Sequence, residues 1–384
     1  MPIHFTEAEL ESRKNAVCHS LKSRNLDGLL MFRQESMYYL TGYDTFGYSM
    51  FQCLFLKADG TVMLLTRAPD LRTAWYTSNI KDVRIWVDKE GMNPAQDLKA
   101  ALVSHKCQGK RLGIELASYG LTAFHWLQVQ AALEGFCELV DASDLVSELR
   151  SVKSSAELVY VRKAAGLGDL ALDEAARLSR PGAFEGDILA AMQGAVFKGG
   201  GDYAGNEFII GSGDGALMVR YITGRRHLDT DDQLTLEFAG AYRRYHACLM
   251  RTILVGRPDP RNLEMYKVCL EALAACQQKV RPGNTMGEVF DAQAKVIDDA
   301  GYGKHRFNAC GYGLGAVYTP LWVDPPMFYK GNPLLIRPNM VFFLHMILPD
   351  YDSKRAMTLG HTVLVTENGC EPLSQRSLDL IVNN

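Results

Sequence analysis

The chain has 384 residues, of which 47% are hydrophobic, and a formal net charge of −3. That length predicts two domains, and the hydrophobic share is ample for a sizeable core. The charge balance excludes the basic face that nucleic acid requires, and no apolar run approaches a membrane span. The nine cysteines are scattered and form no CxxC pair. This predicts reduced thiols in a cytoplasmic protein, not a disulfide framework or a zinc ribbon. The opening stretch MPIHFTEAELESRK is charged and lacks the apolar core of a secretory leader.

Residues 1–150 alternate helix and strand signals. Thr6 and Glu9 have capping-box spacing and open a helix of about five turns. Asp27 to Phe32 reads as a buried strand. Phe51 to Lys57 and Thr61 to Thr66 form a hairpin about Ala58-Asp59-Gly60. Val83 to Val87 is a further strand, Asn93-Pro94 caps a helix, and Arg111 to Leu116 and Glu138 to Asp141 close the pattern. The whole reads as a small, complete α/β domain.

The second domain, 151–384, opens on the capping box Ser154–Glu157 and a long helix to about Ser179. An internal echo follows. Arg180-Pro181-Gly182-x-x-x-Gly186-Asp187-Ile188 recurs as Arg281-Pro282-Gly283-x-x-x-Gly287-Glu288-Val289, each copy ending one helix and opening another. Strand signals come after each copy: Gln233 to Gly256 after the first, Met340 to Leu348 and Ala356 to Thr366 after the second. Two related halves are expected to pack their sheets around one cleft.

Five segments carry the chemistry. Leu236-Glu237-Phe238-Ala239-Gly240 leads to Cys248-Leu249-Met250-Arg251-Thr252, and then comes Gly311-Tyr312-Gly313-Leu314-Gly315. Phe343-Leu344-His345-Met346 and Gly360-His361-Thr362-Val363-Leu364-Val365-Thr366-Glu367-Asn368-Gly369 complete the set. Together they resemble the M24 peptidase family, the pita-bread class that includes aminopeptidase P, prolidase, methionine aminopeptidase, creatinase and ectoine hydrolase. The linker from Ser147 to Glu157 and the N-terminal domain are also similar to those of prolidases and creatinase. The resemblance implies an α/β (α+β) protein: a creatinase/prolidase-like N-terminal domain over 1–150 and a pseudo-two-fold pita-bread catalytic domain over 151–384.

The family's metal ligands do not carry over. Its two strand aspartates, the second eleven residues after the first, are Glu237 and Cys248 here. Its glycine-flanked histidine is Tyr312, and its two glutamates are His345 and Gly360. One carboxylate cannot neutralise and bridge two divalent ions, so no metal or other cofactor is expected. A single zinc on Glu237, Cys248, His345 and His361 is the alternative, all four being legal ligands.

Glu237 alternates with Leu234, Leu236 and Phe238. Taken alone it is a solvent-facing carboxylate. The resemblance turns it into the cleft as base or nucleophile. The run from Glu237 to His246 is similar to that of ectoine hydrolase. His345 and His361 are the acid–base candidates, against the plain alternative of satisfied core histidines. Arg220, followed by Tyr221, stands where relatives place a cleft histidine, and a guanidinium there clamps a carboxylate. Tyr312 and His246 are further substrate contacts. The stretch Leu40 to Tyr48 occupies the place of the creatinase segment that enters a partner's cleft. A homodimer is therefore expected, with Phe46 and Tyr48 lining the neighbouring site, or else these aromatics are local core. The expected activity is metal-independent hydrolysis of a C–N bond in a small carboxylated molecule, with no nucleic-acid or membrane partner. The alternatives are an Xaa-Pro peptidase with substituted ligands and an inactive relative that binds a ligand.

Overall fold

The computed structural model describes residues 3–220 and 224–384 and divides into two compact units, Met1–Arg150 and Ser151–Asn384. In the first, the elements run α1 (Glu7–Ser23), β1 (Gly28–Met31), α2 (Gln34–Thr41), β2 (Cys53–Lys57), β3 (Val62–Arg67), α3 (Leu71–Thr77), β4 (Asp82–Trp86), α4 (Pro94–Ser104), β5 (Arg111–Ile114), α5 (Ala123–Leu133), β6 (Glu138–Asp141) and α6 (Leu145–Ser151). The sheet order is β4-β3-β2-β1-β5-β6. Side chains alternate across the strands, so Leu30, Phe55, Leu65 and Leu112 pack with α4 and α5 in one core. Leu29, Leu54 and Leu64 pack with α1 and α2 in another.

The expected elements are present, with one difference at the first helix. Thr6 accepts from the Glu9 amide at 3.2 Å, but the Glu9 carboxylate turns to Arg13 at 2.9 Å. A strong cation one turn away outcompetes the cap's own amide. Helix α5 starts at Thr122, whose hydroxyl accepts from the His125 amide at 3.2 Å. Arg33, which precedes α2, makes no side-chain cap. The buried Glu115 on the neighbouring chain segment fixes the entry to α2, accepting from the Phe32 and Arg33 amides and the Ser36 hydroxyl.

The second unit runs α7 (Ser155–Leu178), α8 (Glu185–Lys198), β7 (Ile209–Ser212), β8 (Asp232–Tyr242), β9 (Tyr245–Val255), α9 (Pro260–Lys279), α10 (Met286–Asp299), β10 (Ala309–Gly313), β11 (Asp324–Tyr329), β12 (Val341–Asp350), β13 (Arg355–Val365), β14 (Cys370–Pro372) and β15 (Ile381–Asn383). Its sheet follows β11-β10-β12-β13-β9-β8-β7, with β14 on β13 and β15 on β9. The internal echo has a structural counterpart. Gly182 and Gly283 both take positive φ, 80° and 90°. The N-cap residues Phe184 and Thr285 each form an isolated antiparallel bridge, to His227 and Leu335. Each half is thus a helix pair and a long hairpin, and β9 and β13 join the two hairpins.

Helix α7 lies close against β8 where two glycines meet. A Cβ on Gly240 would stand 1.9 Å from the Ala164 carbonyl oxygen, and one on Gly168 would stand 3.4 Å from the Gly240 nitrogen. Gly240→Ala is therefore expected to cost on the order of 3 kcal/mol through overpacking. Gly194→Ala in α8, where a Cβ meets nothing within 4 Å, is expected to stabilise by about 0.5–1 kcal/mol. Calorimetry on the two variants checks this. Equal melting temperatures would show that α7 does not crowd β8 at that point.

Candidate active site

Directly paired residues of antiparallel strands project to the same face. The register therefore fixes a transverse row in the second sheet: Ile209 pairs with Glu237, Glu237 with Met250, Met250 with Gly360, and Gly360 with His345. Tyr312 pairs with Phe343, two residues before His345, and so projects to that face as well. A cavity of ≈ 450 Å³ opens here, lined by Arg220, Glu237, Tyr312, Trp322 and His345, with Ile209, Phe307, Met327 and Ile347 among its apolar walls.

A directed hydrogen-bond chain runs through the cavity wall. Trp322 Nε1 donates to the Tyr312 hydroxyl at 2.7 Å, and Tyr312 donates to Glu237 Oε1 at 3.1 Å. An indole has no acceptor. The phenol oxygen must accept from Trp322, which aims the phenol proton at Glu237. Burial pushes the Glu237 carboxyl up to about 7, against the Tyr312 hydrogen bond and the Arg220 charge, which both favour the ionised form. Burial also holds the Tyr312 phenol well above its usual range, helped by Glu237. It pushes the His345 imidazole down to about 4, so that ring is neutral near pH 7. Arg220 is exposed and lines the cavity.

Two expected site histidines stand elsewhere. His361 pairs with Leu344 and Leu249, so the strand's period of two sends it to the face opposite His345. There its Nε2 meets Gln277 of α9 at 3.0 Å, and burial lowers its pKa to about 3. His246 is fully buried and does not line the cavity. Its Nε2 accepts from the Gly205 amide at 2.8 Å, so Nδ1 carries the proton and donates to the Arg244 carbonyl at 2.8 Å. A ring with both nitrogens committed to backbone is a structural latch, and burial pushes its pKa to about 4. Tyr221 lies outside the described residues. In the first unit, Tyr43 is core and its hydroxyl meets Gln52 at 3.2 Å. Phe46 is 82% exposed and Tyr48 is half-buried. Local core thus accounts for Tyr43 and not for Phe46.

Sequence reasoning missed Trp322. Its signal was present: one of four tryptophans, close to the glycine-rich segment of Tyr312. A buried indole requires an acceptor.

The donors present do not fit a two-metal centre. Glu237 is the carboxylate of the row, and its Oε1 already receives the Tyr312 proton. Cys248 is buried, and burial with the nearby Glu237 holds its thiol protonated far above the usual range. Gly360 has no room for a ligand, since a Cβ there would stand 2.6 Å from the Leu344 carbonyl oxygen. Among the described residues, the convergent group of three possible ligands is His305, Asp350 and Asp352, and none of them lines this cavity. Asp350 is already held by Arg261 through two nitrogens at 3.0 and 2.8 Å.

Residues 13–152 match the creatinase/prolidase N-terminal domain, and residues 159–367 match metallopeptidase family M24. The chain is 28% identical to an uncharacterized hydrolase/peptidase of Sinorhizobium fredii, over 100% of this chain and 99% of that one. It is 27% identical to the ectoine hydrolase of Halomonas elongata, over 98% of each. Among solved structures, a dipeptidase from Mycobacterium ulcerans superposes with a TM-score of 0.85 at 25% identity, covering 98% of this chain and 99% of that one. With its catalytic-domain match spanning more than half of its residues, the chain belongs to metallopeptidase family M24.

Proposed function

We propose that this chain hydrolyses a C–N bond in a small carboxylated molecule, an amidine, ureido or amide compound, without a metal ion. The supporting observation is the Glu237 carboxyl, raised to about 7 and lining the cavity with Oε1 fixed by Tyr312. A carboxylate of that basicity takes a proton from water near neutral pH far better than an ordinary one. The water oxygen bonds to the substrate carbon, its proton passes to Oε2 of Glu237, and the C–N bond breaks as the nitrogen is protonated. The proton taken up by Glu237 returns to the leaving nitrogen by way of His345, whose neutral ring accepts it only in passing and gives it up at once. Arg220 at the cavity wall pairs with the substrate carboxylate. His361, on the far face of the sheet, has no part in this scheme. The similarity to an ectoine hydrolase fits, because ectoine is a cyclic amidine bearing a carboxylate. Turnover of ectoine, with Ala-Pro untouched, is the expected result of a substrate comparison. Turnover of Ala-Pro alone would favour an Xaa-Pro peptidase.

Metal independence is checked on the purified chain. Elemental analysis is expected to find under about one equivalent of transition metal, with activity unchanged in EDTA. Stoichiometric metal, with activity lost on chelation, would establish a rebuilt metal site.

Glu237→Gln keeps shape and removes the base, and is expected to lower kcat by about a hundredfold or more at an unchanged melting temperature. In the wild type, kcat/KM should fall as pH drops through about 7, where Glu237 becomes protonated. Tyr312→Phe removes a hydrogen bond that favours the charged carboxylate, so its acid limb should move to higher pH. A limb that stays in place in Tyr312→Phe would remove Glu237 from the titration.

The exposed Phe46 supports a homodimer in which Phe46 and Tyr48 line the neighbouring protomer's site. Mixing Tyr48→Ala with Glu237→Gln protein under subunit exchange is expected to restore activity that neither has alone. Heterodimers shown to form yet remaining inactive would confine each site to one chain.

A further inference from the structure

Glu185, the first residue of α8, is 1% exposed and does not line the cavity of Glu237. Its Oε1 accepts from the Ser212 amide at 2.7 Å and the Ser212 hydroxyl at 2.6 Å. Its Oε2 accepts from the amides of Arg225 at 2.9 Å and Arg226 at 3.0 Å. An acidic residue in a helix's first turn ordinarily serves that helix's own amides. None of these four donors belongs to α8. They flank Arg220 in the chain: Ser212 leads into residues 213–220, which bring Arg220 to the cavity, and Arg225 and Arg226 follow it. The Glu185 amide also donates to the Arg226 carbonyl at 3.0 Å, and Gly224 is pressed so close that a Cβ there would stand 2.7 Å from the Glu185 Cβ. Asp232 backs the tie: it accepts from the Gly213 amide at 3.0 Å and from the Arg226 guanidinium, which also reaches the Ser212 hydroxyl at 2.7 Å.

We infer that Glu185 is the positioning residue for Arg220, a buried carboxylate clamping the chain on both sides of Arg220 so that the guanidinium is presented to the substrate's anionic group. This rests on the reading of Arg220 given above. Charge-assisted bonds to a buried carboxylate are strong, and fixing a loop's ends removes most of the conformations open to its middle. Glu185→Gln is isosteric but turns an amide NH2 toward amide donors, so one side of the clamp opens.

The test has two arms. Hydrogen exchange on the substrate-free chain should be faster over 213–220 in Glu185→Gln than in the wild type; unchanged exchange overturns the clamp whatever the substrate. Should that variant fail to fold, Ser212→Ala removes one donor and is read in the same way. Steady-state kinetics then use ectoine or Ala-Pro, whichever the wild type turns over. Glu185→Gln and Arg220→Met are each expected to raise KM about tenfold with kcat within about threefold, and the double variant no further. A raised KM in Arg220→Met with a wild-type KM in Glu185→Gln, or additive effects in the double variant, overturns the positioning role alone. An unchanged KM in Arg220→Met overturns the reading of Arg220 as the anion site, and faster exchange in Glu185→Gln would still establish the clamp.

Discussion

The register at the centre of the second sheet decides which side chains meet. Gly360 pairs with Met250 on one side and His345 on the other, and so joins the hairpins of the two halves. The strands are too close there for a side chain, given the 2.6 Å that would separate a Cβ from the Leu344 oxygen. A slip by one residue would reverse every face. Leu236 and Leu344 would then enter the cavity in place of Glu237 and His345, and two ionisable groups would be driven against the helices. The helix-side core, with Leu344, Met346 and Leu359 closing on α9 and α10, holds that register against slippage. The chemistry of the open face is thus secured by apolar packing on the hidden one.

Within the cavity one physical cause produces two opposite shifts. Burial disfavours whichever form is charged, so it raises the Glu237 carboxyl to about 7 and lowers the His345 imidazole to about 4. The ordinary order of a carboxyl and an imidazole is inverted. Near neutrality the carboxyl becomes the group that stores a proton and the imidazole the group that cannot keep one. Tyr312, its own proton held by burial, stays a hydrogen-bond donor to Glu237 and does not compete as an acid.

Much of the architecture was legible because it rests on local rules. The echo of Arg-Pro-Gly marked two helix turns that share a positive-φ glycine. The Ser154–Glu157 box forms as its spacing required, and the alternation of Leu234, Leu236 and Phe238 against Glu237 assigned the carboxylate to the other face. Legibility failed where a residue's role depends on a distant partner. His345 and His361 are alike in sequence terms, both in apolar strands at family positions, and only the pairing of β12 with β13 shows that they face opposite ways. His246 looked available until Gly205, 41 residues before it, took its second nitrogen. Glu115 fixes the start of α2 from 79 residues beyond Ser36, which no window along the chain can reveal.

Three carboxylates of this chain, the buried Glu115 and Glu185 and the half-buried Glu237, differ in what fills their oxygens. Glu115 receives two amides and a hydroxyl, and Glu185 receives three amides and a hydroxyl. Each oxygen of these two groups accepts at least one hydrogen bond, and a donor left buried and unpaired there would cost about 1–3 kcal/mol. Such groups are suited to holding chain in place. Glu237 differs: among the described residues its donor is Tyr312 on Oε1, and the group opens onto the cavity. Protonating Oε2 breaks nothing. Glu237 thus keeps a second oxygen that can accept a proton while the surrounding structure stays as it is, which is the property a general base requires.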